Sequence, residues 1–150
     1  MNALFERELR MTFIGAGNMA EALVRGIIRA KLLPSRCVQV TDPDKRRRDY
    51  FQANFGVTVF ERNTDGIRGA QAAILAVKPQ VIGDVLKDVG TTLNATTLVI
   101  SIAAGITTQR LQTQLPGGMR VVRVMPNMPA LAGVGVSVYC PGLLASKDDT

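Results

Sequence analysis

The stretch Met11-Thr12-Phe13-Ile14-Gly15-Ala16-Gly17-Asn18-Met19-Ala20 carries three structural instructions in immediate succession. Its apolar residues up to Ile14 predict a short buried strand, Gly15-Ala16-Gly17 a tight turn, and the residues from Asn18 onward a helix. A strand that feeds a helix this directly cannot return as a hairpin, so the helix packs on the sheet and the next strand runs parallel. Such a turn suits the holding of a diphosphate. Gly15 lets the backbone reverse, and Gly17, lacking a Cβ, lets a ligand approach the main chain. Unpaired amides of the first helical turn then face the anion, aided by the helix dipole. Ala20 stands at the third position of the Gly-x-Gly-x-x-Gly/Ala pattern, small enough for the helix to lie close on the sheet, and Gly26 offers the same close approach.

A lone Gly-x-Gly is weak, because glycines punctuate turns everywhere; its surroundings strengthen it. A strand precedes it. Met19, Ala22, Leu23, Gly26, Ile27 and Ala30 fall on one stripe of the helix that follows, and a second strand ends in an acid, Asp42. Composition closes off other classes. At 150 residues, 47% hydrophobic and 20% charged, the chain is one globular domain. No apolar run reaches the roughly 18 residues that span a bilayer. Glu6, Arg7, Glu8 and Arg10 interrupt any secretory signal, so residues 1–10 read as an extension ahead of a domain over 11–150, with a cytoplasmic address. The chain has no histidine, which argues against catalytic triads and zinc hydrolysis, and no metal is expected. Cys37 and Cys140 match no metal spacing and read as free thiols. The net charge of +6 centres on Lys45-Arg46-Arg47-Arg48, a run better explained by a solvated helix face or an anionic cofactor than by nucleic acid.

Taken in order, the chain predicts a strand over 10–14 and a helix over 18–31, then a strand over 38–41. Asp42 and Pro43 read as cap and first position of a helix to about Asn54, ended by Gly56. A third strand over 57–60, a short helix over 63–69 and a strand over 72–77 follow. Pro79 opens a helix to about Leu93; strands over 97–102 and 120–125 flank a helix capped by Thr107, and one more strand covers 134–139. The alternation predicts a doubly wound, mostly parallel α/β sheet of the Rossmann type. Ligands of such sheets lie at the carboxyl ends of the strands. The turns to inspect are therefore 15–19, 41–42, 76–79, 102–105 and 125–129.

At those turns the sequence resembles the pyrroline-5-carboxylate reductase family. The resemblance rests on Phe13-Ile14-Gly15-Ala16-Gly17-Asn18-Met19-Ala20, Ala76-Val77-Lys78-Pro79-Gln80, Val99-Ile100-Ser101-Ile102-Ala103-Ala104-Gly105-Ile106 and Arg123-Val124-Met125-Pro126-Asn127-Met128-Pro129-Ala130, in the family's order. It covers 11–139. It implies reduction of the ring imine of 1-pyrroline-5-carboxylate to proline, the last step of proline biosynthesis, with NADPH or NADH as hydride donor. Carried over by motif, Ile14, Gly15, Ala16, Gly17, Asn18 and Met19 hold the diphosphate, Asn63 the adenosine ribose region, Ala76, Val77, Lys78 and Pro79 the middle of the cofactor, and Ala103, Ala104 and Gly105 the nicotinamide side. Family members carry a helical C-terminal domain that forms the homo-oligomer and most of the substrate pocket; this chain stops short of it, so the fragment alone is expected to be poorly active. The alternatives are a related imine or β-hydroxyacid dehydrogenase, or a nucleotide-binding sensor or interaction module without catalysis.

Several residues keep two readings. Met128 stands where family members often have threonine. Asp42 stands where many NADP-preferring members have serine; an acid there suits a ribose 2′-hydroxyl and favours NAD, yet Lys45, Arg46 and Arg47 are close enough in sequence to neutralise a 2′-phosphate. Asp42 is otherwise a helix cap. Lys78 is either a turn residue or a catalytic acid, and Asn127 either orients substrate or stabilises the turn between prolines.

Overall fold

Six of the seven strands run the same way in this computed structural model, which describes residues 9–127, 129 and 134–150. The strands are β1 (Met11–Ile14), β2 (Val38–Thr41), β3 (Thr58–Phe60), β4 (Ala72–Leu75), β5 (Leu98–Ser101), β6 (Arg120–Pro126) and β7 (Ser137–Pro141). They form one sheet in the order β3-β2-β1-β4-β5-β6-β7, with β7 antiparallel to β6. The helices are α1 (Asn18–Arg29), α2 (Lys45–Phe55), α3 (Asn63–Gly66), α4 (Ile82–Gly90) and α5 (Thr108–Gln114). The doubly wound sheet expected from the alternation is the sheet observed. Its order reverses between β1 and β4, which opens a crevice over their carboxyl ends.

Two apolar layers sandwich the sheet. Phe13, Val38, Val40, Ile74 and Phe51 form one with the inward stripe of α1; Ile14, Leu75, Val99 and Val121 form the other with α4 and α5. Successive residues of β1 thus serve opposite layers, as strand geometry requires. β4 is buried at all four positions, matching its unbroken Ala-Ala-Ile-Leu run. Burial of polar Thr12 is tolerated because its hydroxyl donates to the Gly66 carbonyl at 2.7 Å.

Several local expectations shift. The inward stripe of α1 is Ala20, Leu23, Val24, Ile27 and Ile28. Gly26 is exposed, and a Cβ added there would meet nothing within 4 Å, so it makes no close approach. α1 stops at Arg29 because Lys31 takes a left-handed φ of 55°; its amide donates to Ile28 and that of Leu32 to Ile27, the paired bonds of a Schellman ending. α2 begins at Lys45, not at Pro43, and its cap is Asp44, whose side chain accepts from the Arg46 amide. Gly56 ends it in the left-handed conformation, as expected. The helix expected from Pro79 starts as a 3-10 turn, Pro79–Val81, before α4, and α3 is only one turn long. β7 starts three residues later than expected and forms the sheet edge with every residue exposed. Of the predicted extension 1–10, only residues 9 and 10 are described; Arg10 already joins the sheet margin through Gln71. Cys37 and Cys140 are both free.

Candidate cofactor cleft

A cleft of about 430 Å³ lies over the β1/β4 switch point. Its wall comes from four places: the turn Gly15, Ala16 and Gly17; the end of β2 with Thr41, Asp42 and Pro43; Asn63 of α3; and Ala76, Val77, Lys78, Val81 and Val85 beyond β4. The two central turns touch. Gly15 has φ +102°, and a Cβ there would stand 2.8 Å from the Ala76 carbonyl oxygen and 2.9 Å from Val77 Cγ1, so only glycine fits. A Cβ at Gly17 would meet no protein atom within 4 Å. The missing side chain at Gly17 thus relieves no contact within the protein and keeps the cleft open beside the main chain.

Gly17 is also the N-cap of α1, with no side chain capping the helix. The first intrahelical bond runs from the Glu21 amide to the Gly17 carbonyl, which leaves the amides of Gly17 to Ala20 without intrahelical acceptors. The Ala16 amide, by contrast, is not available to an anion: it donates to Asp42 Oδ2 at 2.8 Å. Asp42 Oδ1 accepts from the Asp44 amide, also at 2.8 Å. Asp42 is therefore not the helix cap but the brace between the glycine turn and the start of α2. A carboxylate has about four lone-pair sites, so two remain for hydroxyl donors in the cleft.

Arg47 secures the next peptide of the turn. Its Nε donates to the Ala16 carbonyl at 2.6 Å and its terminal nitrogen to Glu21 at 3.0 Å, with the guanidinium stacked on the rings of Tyr50 and Phe51. Tyr50 donates to Glu21 as well, at 2.8 Å. Burial alone raises the Glu21 carboxyl, but hydrogen bonds from Arg47 and Tyr50, with the charges of Arg47 and Arg25, bring it below its ordinary range. Deeper in, Thr41 donates to Asn63 Oδ1 at 2.7 Å, and Asn63 Nδ2 donates to Asp88 at 3.1 Å. These bonds fix the Asn63 amide plane.

The structure brings Gly15, Ala16, Gly17, Asp42, Asn63, Ala76, Val77 and Lys78 to one cleft. Ile14 lies buried in the core, and Asn18 and Met19 occupy the first turn of α1. Pro79 opens the 3-10 turn next to Lys78. Ala103, Ala104 and Gly105 follow β5, one strand further along the same rim, outside the cleft wall; the turn there is held by the Ser101 hydroxyl, which accepts from the Ala103 amide. Asn127 is not in the cleft. Its Oδ1 accepts from the Val136 amide at 3.0 Å, a bond to the segment just ahead of β7. Met128 lies outside the described residues. Lys78 is exposed; its carbonyl accepts from the Val81 amide, and its ammonium makes no hydrogen bond or ion pair among the described residues. Sequence reasoning missed Val81, which ends the 3-10 turn, and Val85 of α4, which together wall the cleft; in sequence both read only as parts of a helix from Pro79. Among the described residues, no group of His, Cys, Asp or Glu could hold a metal ion, and no helix is long and apolar enough to cross a membrane.

A parallel sheet in this order, with an uncapped helix N-terminus and a glycine turn over its switch point, defines a dinucleotide-binding α/β domain. The residues present fit such a group, since Gly17 leaves the cleft open beside unclaimed amides. Residues 10–105 match the family described as NADP oxidoreductase, coenzyme F420-dependent, and the chain belongs to that family. Its sequence is 40% identical over 138 residues to pyrroline-5-carboxylate reductase of Haemophilus influenzae, covering 92% of this chain and 49% of that protein. Among solved structures, a pyrroline-5-carboxylate reductase from Coxiella burnetii superposes with a TM-score of 0.90 at 34% identity, over 95% of this chain and 53% of that one. The Plasmodium falciparum pyrroline carboxylate reductase, solved with NADP bound, gives 0.82 at 28% identity, over 94% and 51%. The chain thus spans about half the length of the relatives it matches, and the resemblance read from the turn motifs is borne out.

Proposed function

We propose that this chain is the cofactor-holding half of a pyrroline-5-carboxylate reductase, taking NAD(P)H and serving the reduction of 1-pyrroline-5-carboxylate to proline. The observation that carries the reading is the open space at Gly17, beside the unclaimed amides of α1 and above the switch point. A relative at 40% identity in Haemophilus influenzae, and a Plasmodium falciparum relative holding NADP, support it over a sensor module or a β-hydroxyacid dehydrogenase.

When bound, the reduced nicotinamide supplies the hydride that saturates the ring imine. The residues of this chain bind and orient. The amides of Gly17, Asn18, Met19 and Ala20 take the diphosphate, with the Lys78 ammonium adding positive charge from the β4 side. Asp42 meets ribose hydroxyls, and Ala103, Ala104 and Gly105 border the nicotinamide. Ala76, Val77, Val81 and Val85 exclude water from the middle of the cleft. Addition of hydride to an imine that is already protonated needs alignment more than a base, which suits a chain without histidine, so neither Lys78 nor Asn127 is assigned a proton transfer. A helical domain beyond 11–150 would complete the substrate pocket and the homo-oligomer, in a cytoplasmic enzyme that binds neither nucleic acid nor membrane.

The test is twofold. Calorimetric titration of the chain with reduced dinucleotide should give saturable binding, and turnover of the cyclic imine should rise by orders of magnitude when a helical C-terminal half from a relative is supplied. Folded chain that binds no dinucleotide would refute the reading.

A further inference from the structure

We propose that this chain holds NADH in preference to NADPH, and that Asp42 is the residue that decides. The inference rests on the reading of the cleft as a dinucleotide site and concerns its ribose end. NADPH differs by a 2′-phosphate carrying a charge of roughly −1.5 to −2, which a site accepts only when cations face it. Here a carboxylate faces that end instead. Asp42 lines the cleft and is tethered by both oxygens, to the amides of Ala16 and Asp44, so it cannot swing away without releasing the glycine turn.

The cations that could offset it are those of the run 45–48, and each is engaged elsewhere. Arg47 is folded against α1, bound to the Ala16 carbonyl and Glu21 and stacked on two rings. Arg48 is 13% exposed and donates to the carbonyls of Asp42 and Pro43 from beneath the turn. Arg46 closes onto Asp44, and Lys45 onto Asp49. The cleft-lining cation without a partner among the described residues, Lys78, follows β4, which lies across β1 from the strand that delivers Asp42. Arg47 and Arg48 are thus spent on holding the turns, Arg46 and Lys45 sit in surface pairs with acids of their own, and the ribose end is left to an acceptor that suits hydroxyls.

The experiment compares NADH with NADPH, and ADP with 2′,5′-ADP, by calorimetric titration of the chain at one fixed salt concentration. The expected result is binding of NADH about tenfold or more tighter than NADPH, with ADP favoured over 2′,5′-ADP to a similar extent. Asp42→Ser should bring both ratios towards one or invert them. Asp42→Asn, which keeps the shape and one acceptor, should move them the same way if the serine variant folds poorly. Equal or tighter binding of NADPH by the unaltered chain overturns the inference while leaving the proposed function standing. Ratios unmoved in both folded variants also overturn it. Failure of every nucleotide to bind removes the proposed function and this inference with it.

Discussion

Gly66 lets α3 sit against β2, and adding a single methyl group there tests the packing behind the cleft. A Cβ at Gly66 would lie 2.3 Å from Thr41 Cγ2, 3.2 Å from Phe60 Cδ2 and 3.5 Å from Thr12 Cγ2. Carbon atoms prefer separations of about 3.5–4.0 Å, so the first contact is short by more than an ångström. Neither side can yield freely. Thr41 is fully buried with its hydroxyl on Asn63, and the Gly66 carbonyl is held by Thr12. Overpacking of this kind costs about 1–3 kcal/mol, loss of one such hydrogen bond adds about 1, and the better helix propensity of alanine returns about 1. Gly66→Ala should therefore destabilise by about 1–3 kcal/mol, a fall in Tm of roughly 2–12 °C for a domain of this size. Urea unfolding followed by far-UV circular dichroism measures it, since the chain has no tryptophan. Thr41→Ser removes the clashing methyl and keeps the hydroxyl, so the double variant should recover at least about 1 kcal/mol as coupling between the two positions. Gly66→Ala as stable as the parent chain, or a double variant whose effects simply add, would refute the reasoning.

Lys31 holds the left-handed position after α1 at φ 55°, a conformation that costs a side-chain-bearing residue about 1 kcal/mol; Lys31→Gly should raise the urea midpoint correspondingly. Glu21 titrates below the ordinary glutamate value of 4.5 in the folded chain. Its contribution is therefore fully present above 4.5 and is lost as pH falls through the lower folded value. Glu21→Gln should be less stable at neutral pH and lose less on acidification, and unfolding curves for both proteins across that range that stay parallel would contradict it.

Much of the fold could be read from the chain because its signals are local. Unbroken apolar runs such as Ala72–Leu75, the Gly15 turn, and Gly56 and Thr107 at helix ends each act through neighbours in sequence. The sites that could not be read depend on partners distant in sequence. In sequence Asp42 reads as the cap of α2; the Ala16 amide, on another strand's turn, claims it, and the cap passes to Asp44. The four cations of 45–48 look alike in sequence, yet one turn of helix sends Arg47 against α1 and Arg48 under the Asp42 carbonyl. Glycines misled in both directions. Gly26 looked like a contact point and is exposed, whereas at Gly66, unremarked in the sequence, a methyl group would strike Thr41 of buried β2 at 2.3 Å. Asn127 lies in a stretch that resembles the family's motif, which says nothing of the bond its side chain accepts from the distant Val136 amide.

The backbone of Ala16 is gripped on both sides, its nitrogen by the acid after β2 and its oxygen by an arginine of α2. The shape of the glycine turn is consequently not its own property but is on loan from the neighbouring crossover. A graft of residues 11–20 into another sheet would carry the glycines without their moorings. Any lineage that exchanged Asp42 to welcome a phosphorylated nucleotide would also have had to find a new anchor for that nitrogen.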